Sequence, residues 1–271
     1  MATSVAITLL TDFGLQDDFV GVCHGVVAKL APNARMIDIT HGIEPHNILQ
    51  GAIVLANAVP YMPVGVHVAV VDPGVGGQRR GLAILTRDGR VFVGPDNGLL
   101  MLAADAAGVD AARELESPRY RLEHVSRTFH ARDVFAPAAA HLAAGADFGD
   151  LGPAVDPATL IRLELPEPEV GTAQLGATVL AVDRFGNIQL NLRREHLEAV
   201  GLAAGDRVEL RLPLDRYFAL IAGTFADAPG GELIVYEDAY GAVSIAISGG
   251  NAGALTGARP GDRLRIAPAA D

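Results

Sequence analysis

A single cysteine, Cys23, occurs in the whole chain. That excludes an internal disulfide and a multi-cysteine zinc site. Basic residues are scarce as well: Lys and Arg number 21 against 32 Asp and Glu, a net charge of −11, with no Lys/Arg-rich run. Such a chain argues against nucleic acid and anionic membranes as partners. No apolar run approaches the roughly 20 residues of a membrane helix. Val5–Leu10 is far shorter, and Met1-Ala2-Thr3-Ser4 lacks the basic segment of a secretion signal. The expectation is a soluble cytoplasmic protein with no nucleic-acid and no membrane partner. Three familiar signatures are also missing. Gly74-Val75-Gly76-Gly77-Gln78-Arg79 fits neither a P-loop, which needs Gly-Lys-Ser/Thr, nor a Gly-x-Gly-x-x-Gly dinucleotide fingerprint. Asp12-Phe13-Gly14 spells a kinase tripeptide without any other kinase element around it.

What is present is apolar bulk. Half of the 271 residues are hydrophobic, enough for one large or two ordinary domains and for a sizeable core. Val5–Leu10 reads as a strand. Asp17-Asp18 then open a helix whose apolar positions Phe19, Val22, Cys23, Val26, Val27 and Leu30 form one stripe. Cys23 in that stripe reads as a buried, inert thiol. Met36–Ile39 is a second strand, about 47–59 a second helix, and Val66–Val71 a strand apolar on both faces. This alternation predicts a parallel sheet between helices. Arg87-Asp88-Gly89-Arg90 marks a hairpin between 83–85 and 91–93. Residues 104–120 carry no decisive periodicity. The alanine-rich run 134–144 reads as a helix, with Pro137 in its first turn and Gly145 as its stop.

Leu163–Glu169 contains two prolines among acids and reads as an extended linker. Beyond it the pattern changes to short strands at 178–182, 188–192, 208–212, 233–236, 243–247 and 264–266. The expected organisation is an α/β domain over 1–163 and a smaller, mainly antiparallel β-barrel over 170–271.

Polar clusters follow several apolar runs. Val66–Val71 ends on Asp72, then Pro73 and glycines, with Arg79 seven residues later. Ligands in open α/β sheets bind beyond the carboxyl ends of strands, so an acid and a guanidinium there are candidate reactive groups. A plain Asp-capped turn with a surface arginine is the competing reading. Asp12 follows the first strand, Asp96-Asn97 a later one, and His130 precedes a helix. Asp183-Arg184-Phe185-Gly186-Asn187 separates two strands of the second domain. Each Asp has the bland alternative of a turn or cap residue. His41, His46 and His67 carry no stronger sign of function.

Six segments taken together resemble the S-adenosylmethionine (SAM) hydroxide adenosyltransferases, the SAM hydrolases related to the fluorinase and chlorinase enzymes. They are Thr11-Asp12-Phe13-Gly14 with Asp17-Asp18, Val71–Gly76, Gly94–Gly98, Thr128–Asp133, Asp183–Asn187 and Thr224–Asp227. The resemblance spans nearly the whole chain and implies hydrolysis of SAM to adenosine and L-methionine by hydroxide attack at C5′. It implies Asp72, Arg79 and His130 as the catalytic set, and Asp12 on the ribose hydroxyls. Asp183 would hold the methionine ammonium, and Asn187 and Phe225 would face the adenine. Tyr240 would lie in the aromatic-Gly step near the methionine carboxylate. Phe225 has the alternative of an ordinary core aromatic. The resemblance further implies a homotrimer with sites shared between chains, SAM as substrate, and no metal or cofactor.

Two departures bear on this. The family's Asn-Ser pair before the aromatic-Gly step is here Asp238-Ala239, so the serine hydroxyl is absent. The long insertion that fluorinases carry after the glycine loop is absent too, and Arg79-Arg80-Gly81-Leu82 leads straight into a strand. A halide-using relative and a non-catalytic SAM or adenosine sensor are the competing functions. Arg80 is expected to be a neutral surface neighbour of Arg79.

Overall fold

The computed structural model describes residues 5–212 and 215–269. The chain divides into two compact units at Leu163/Glu164.

In the first unit the strands are β1 (Ala6–Thr11), β2 (Arg35–Thr40), β3 (Gly65–Val70), β4 (Gly81–Thr86), β5 (Val91–Pro95), β6 (Val109–Glu114) and β7 (Ala154–Val155). They form one sheet in the order β2-β1-β3-β5-β4-β6-β7. β2, β1, β3 and β5 pair in parallel, and the hairpin β5–β4 reverses direction before β6 and β7. The sheet is therefore mainly parallel. Helices α1 (Phe19–Leu30), α2 (Ile48–Ala58), α3 (Met101–Ala107) and α4 (Ala136–Ala143) cover it on both faces. Ile7, Leu9, Val66, Val68 and Val70 pack with Cys23 and Val27 of α1 and Ala138–Ala140 of α4. Leu10, Ala69, Val71 and Phe92 turn to the other face, against Ala52 and Leu55 of α2 and Ala103 of α3. Every residue of β1 and β3 is buried, as expected of strands covered on both sides.

Three details differ from the sequence expectation. Helix α1 begins at Phe19, with Asp18 at its N-cap position making no side-chain cap bond. Its buried residues are Val20, Cys23 and Val27, while Phe19 is 40% exposed and packs edge-on against Phe13 and Phe129. The undecided stretch 104–120 holds the end of α3 and the strand β6. Pairing with β4 and β7, not local propensity, recruits so polar a segment into the sheet. The helix expected from 134 starts instead with a π-helical turn, Ala131–Phe135, which passes into α4 with Pro137 in its first turn. Cys23 is buried and its thiol is pushed up to about 12 by burial, consistent with an inert side chain.

The second unit is a closed seven-strand barrel. Its strands are β8 (Glu169–Val170), β9 (Leu175–Val182), β10 (Ile188–Arg193), β11 (Arg207–Arg211), β12 (Arg216–Ile221), β13 (Leu233–Glu237), β14 (Ala242–Ile247) and β15 (Arg263–Pro268). The order β10-β14-β13-β12-β11-β15-β9 closes through a β9–β10 pairing, with β8 attached to β9. All pairings are antiparallel except β12–β13. Alternate residues of β9 and β10, such as Leu175, Ala177, Val179, Ile188, Leu190 and Leu192, fill the interior. Two short helices, α5 (Arg194–Ala199) and α6 (Ala252–Thr256), fill out the connections. β12 and both helices were not expected from the sequence.

Candidate functional site

In the first unit the side chains gather at the carboxyl edge of the parallel strands. Thr11 pairs with Val70, so Asp12 and Asp72 leave β1 and β3 at the same edge. Asn97 is drawn there too, its Nδ2 donating to the Val71 carbonyl at 2.9 Å. The loop after Asp72 folds back so that Arg79 reaches the carboxylate. Arg79 Nε donates to Asp72 Oδ1 and Oδ2 at 2.9 and 3.0 Å, and its Nη2 also bonds Oδ2. Both side chains are nearly buried, 11% and 5% exposed.

The same Arg79 Nη2 lies 2.8 Å from His130 Nδ1. A guanidinium can only donate, so Nδ1 is the acceptor. The His130 ring is then neutral, with its hydrogen on Nε2. Burial, and next the charge of Arg79, hold His130 below its ordinary value. Both influences agree with the neutral tautomer that the geometry demands.

Three features keep this cluster in place. The Arg79 guanidinium stacks over Phe135, 5.3 Å from the ring centroid, and Phe135 itself is fully buried in the π-helical turn. Gly76 adopts φ +75, and a Cβ there would collide with the Arg127 carbonyl oxygen, so the loop approaches the His130 segment as only glycine can. Asp133 is fully buried. It accepts from the Ser126 N–H at 2.8 Å and from Arg132 at 2.6 and 2.9 Å, which closes the 126–133 loop around His130. Burial pushes the Asp133 carboxyl up, but the Arg132 and Ser126 hydrogen bonds outweigh it and hold it low.

Asp12 is half-buried, and its Oδ2 accepts from the His46 N–H at 2.9 Å. His46 adopts φ 68, an uncommon backbone for a non-glycine residue. Arg80 corrects the expectation of a neutral surface residue. It donates twice to Asp96 Oδ2, at 2.8 and 2.5 Å, and to the Thr159 carbonyl at 2.8 Å. Asp96 is 4% exposed and also accepts from the Ile161 N–H. Arg80 is therefore a structural tie. His67 is fully buried, bonded to Thr8 Oγ1 at 3.0 Å and lowered to about 4 by burial.

In the second unit Asp183 and Asn187 meet in the β9–β10 turn. Asp183 Oδ1 accepts from the Phe185 and Asn187 N–H groups, and Oδ2 accepts from Asn187 Nδ2 at 2.7 Å. The bland turn role of Asp183 is thus real, and its carboxylate is also fixed in direction. Phe225 is not a core aromatic. It is 42% exposed and lies 4.9 Å from the Tyr236 ring. Tyr236, which the sequence reading missed, is pushed up to about 12 by burial and then by the Asp238 and Asp183 charges.

Tyr240 is 50% exposed, its N–H donating to Asp238 Oδ1 and its carbonyl accepting from Arg193. Asp238 also accepts from Ala242 N–H, Gln189 Nε2 and Ser244 Oγ. It holds the 238–242 turn shut. Neither Phe135 nor Tyr236 sits in a recognisable motif. Burial and ring contacts alone mark them.

None of Asp72, Arg79 and His130 belongs to a close set of three metal-ligating groups. Among the described residues that arrangement occurs at His24, Asp38 and His41.

Comparison with known proteins gives a consistent result. Residues 7–152 match the model of the SAM hydroxide adenosyltransferase N-terminal domain, and residues 177–265 that of the corresponding C-terminal domain. The chain is 50% identical to a Salinispora arenicola protein named (R)-S-adenosyl-L-methionine hydrolase, over 98% of this chain and 99% of that one. It is 27% identical to the fluorinase of Actinopolyspora mzabensis, covering 89% of each. An uncharacterized conserved protein from Thermotoga maritima superimposes with a TM-score of 0.91 at 35% identity, covering 96% of this chain and 99% of that chain.

Proposed function

Because this chain belongs to the SAM hydroxide adenosyltransferase family, we propose that it hydrolyses SAM to adenosine and L-methionine. The relatives' names specify the R-configured sulfonium, and the same epimer is the proposed substrate. The observation that carries the reading is the Asp72–Arg79–His130 chain of hydrogen bonds at the sheet edge.

In this mechanism the Arg79 charge favours hydroxide over water. His130, neutral and with its hydrogen on Nε2, donates that hydrogen to the nucleophile's oxygen and aims a lone pair at C5′. Asp72 does not act as the base, since both its oxygens are engaged by Arg79. It holds the guanidinium in plane. The new bond is O–C5′ and the broken one is C5′–S, whose electron pair returns to sulfur and neutralises the sulfonium. The leaving thioether needs no general acid. One proton from water passes to solvent, so SAM and water yield adenosine, methionine and H⁺. The step calls for no metal or cofactor.

The remaining assignments belong to the same proposal. Asp12, with only Oδ2 engaged by His46, takes the ribose diol. Asp183 takes the methionine ammonium, Asn187 and Phe225 the adenine, and Tyr240 the methionine end. These groups lie on two units that each carry half of the needed chemistry. That division supports a homotrimer in which each site draws one unit from each of two chains. No helix among the described residues is long and apolar enough to cross a membrane, and a cytoplasmic location is part of the proposal.

The test is chromatography of a reaction with SAM, alone and in high chloride. Adenosine and methionine in equal amounts, in both conditions, support hydrolysis. A dominant 5′-chloro product would move the chain to the halide-using branch, and bound SAM with no product over days would make it a sensor.

A further inference from the structure

The proposed reaction leaves unused a cluster next to Thr11, the residue before Asp12. His24 lies on α1, while Asp38 and His41 lie at the end of β2. In a regular strand, residues three apart face opposite sides. The register of β2 against β1 slips here, Leu9 pairing with Asp38 and Leu10 with Thr40, so that Ile39 is extra. One inserted residue cancels the alternation and brings Asp38 and His41 together. His24 Nε2 lies 2.8 Å from Asp38 Oδ1, and His41 Nε2 lies 3.1 Å from the same oxygen. The three ligand atoms all fall within 4.8 Å of one another.

A plain ion pair accounts for His24 and Asp38, which are both partly exposed. It does not account for His41. That side chain is 4% exposed, and its Nε2 is buried without a hydrogen-bond partner. The carboxylate is near enough, but it stands off the direction of the ring nitrogen. The other nitrogen, Nδ1, lies 2.8 Å from Thr11 Oγ1. With Nδ1–H donated to that hydroxyl, Nε2 carries a free lone pair, the form that ligates metals.

We propose that His24 Nε2, Asp38 Oδ1 and His41 Nε2 bind a divalent cation of the zinc class, with water completing a tetrahedron. Two imidazoles and one carboxylate suit zinc and its first-row neighbours better than magnesium or calcium. The N–O separations of 2.8 and 3.1 Å need to widen only by a few tenths of an ångström to reach the roughly 3.4 Å spacing of tetrahedral ligands with bonds of about 2.0–2.2 Å. His24, on an accessible helix face, closes the remaining gap. The ion ties α1 to the end of β2. It also braces the loop carrying Asp12, because His41 holds Thr11 through its ring and the Gly14 N–H through its carbonyl.

The test uses the full chain, freed of metal by a chelator and titrated with Zn²⁺ by calorimetry and with Co²⁺ by visible absorption. The expected result is one ion per chain, a tetrahedral Co²⁺ spectrum, and a Tm that rises with Zn²⁺. His24→Lys keeps a positive charge beside Asp38 but removes the ligand. It should hold the metal-free Tm near the parent value while weakening Zn²⁺ by about 10-fold or more. Asp38→Asn should weaken it similarly, and Thr11→Val should do so through His41. Two results overturn the proposal: no saturable binding at micromolar Zn²⁺, or binding that His24→Lys and Asp38→Asn leave unchanged.

Discussion

Replacing Arg79 by methionine separates catalysis from stability. The substitution removes the donor to His130 Nδ1 and strands Asp72, whose side chain is 5% exposed. Removing one partner of a buried pair costs about 3–5 kcal/mol, which lowers Tm by roughly 10 °C in a chain of this size. Losing one preorganised donor of developing charge costs about 10²–10³ in turnover. The two effects come apart in the double variant Arg79→Met with Asp72→Leu. Replacing a whole buried ion pair by apolar side chains is often neutral or stabilising, so Tm should return toward the parent while turnover stays down. Initial rates of adenosine release at saturating SAM, with parallel thermal melts, give both readings. If Arg79→Met releases adenosine at the parental rate, the assigned role is wrong. The same holds if the double variant recovers turnover along with stability.

Three more outcomes follow from the geometry. Arg80→Ala should destabilise the protein by about 3 kcal/mol by stranding Asp96, 3% exposed at its side chain; a neutral effect in urea unfolding would refute the tie. His130 sits below its ordinary value through burial and Arg79 and must be neutral to accept from Arg79. The His130 ring should therefore take up its proton only below about pH 6.5, and an NMR titration of that ring centred above it would contradict the neutral-ring assignment. His67 is lowered from 6.5 to about 4, so the unfolded chain takes up its proton first. Its contribution is whole above pH 6.5 and drains away as pH falls toward 4, about 3 kcal/mol in all. His67→Gln should flatten that stretch of the stability curve, and an unchanged slope would refute it.

Much of the architecture was legible because apolar runs dictate it. Val66–Val71 reads as a doubly covered strand, and the change from long alternation to short strands after Pro166 separated an α/β pattern from a barrel. Polar β6 and the π-helical turn were not legible, since neighbours rather than local propensity hold them. At the candidate site, the strand end marked Asp72 and Arg79 as candidates and the start of a helix marked His130, but the resemblance supplied their grouping and roles. The tautomer of His130, the stacking of Phe135 and the engagement of Arg80 with Asp96 arise from contacts between residues far apart in sequence. Motifs carry no record of such contacts. His24, Asp38 and His41 were equally hidden, because a one-residue bulge at Ile39 is what aligns them.

Hydroxide attack at C5′ makes a water oxygen the 5′-hydroxyl of adenosine. Hydrolysis of SAM in ¹⁸O-labelled water, with mass spectrometry of both products, tests it directly. The expected result is one ¹⁸O atom in each adenosine, at the 5′ position, and none in methionine. Unlabelled adenosine, or label carried into methionine, would contradict it.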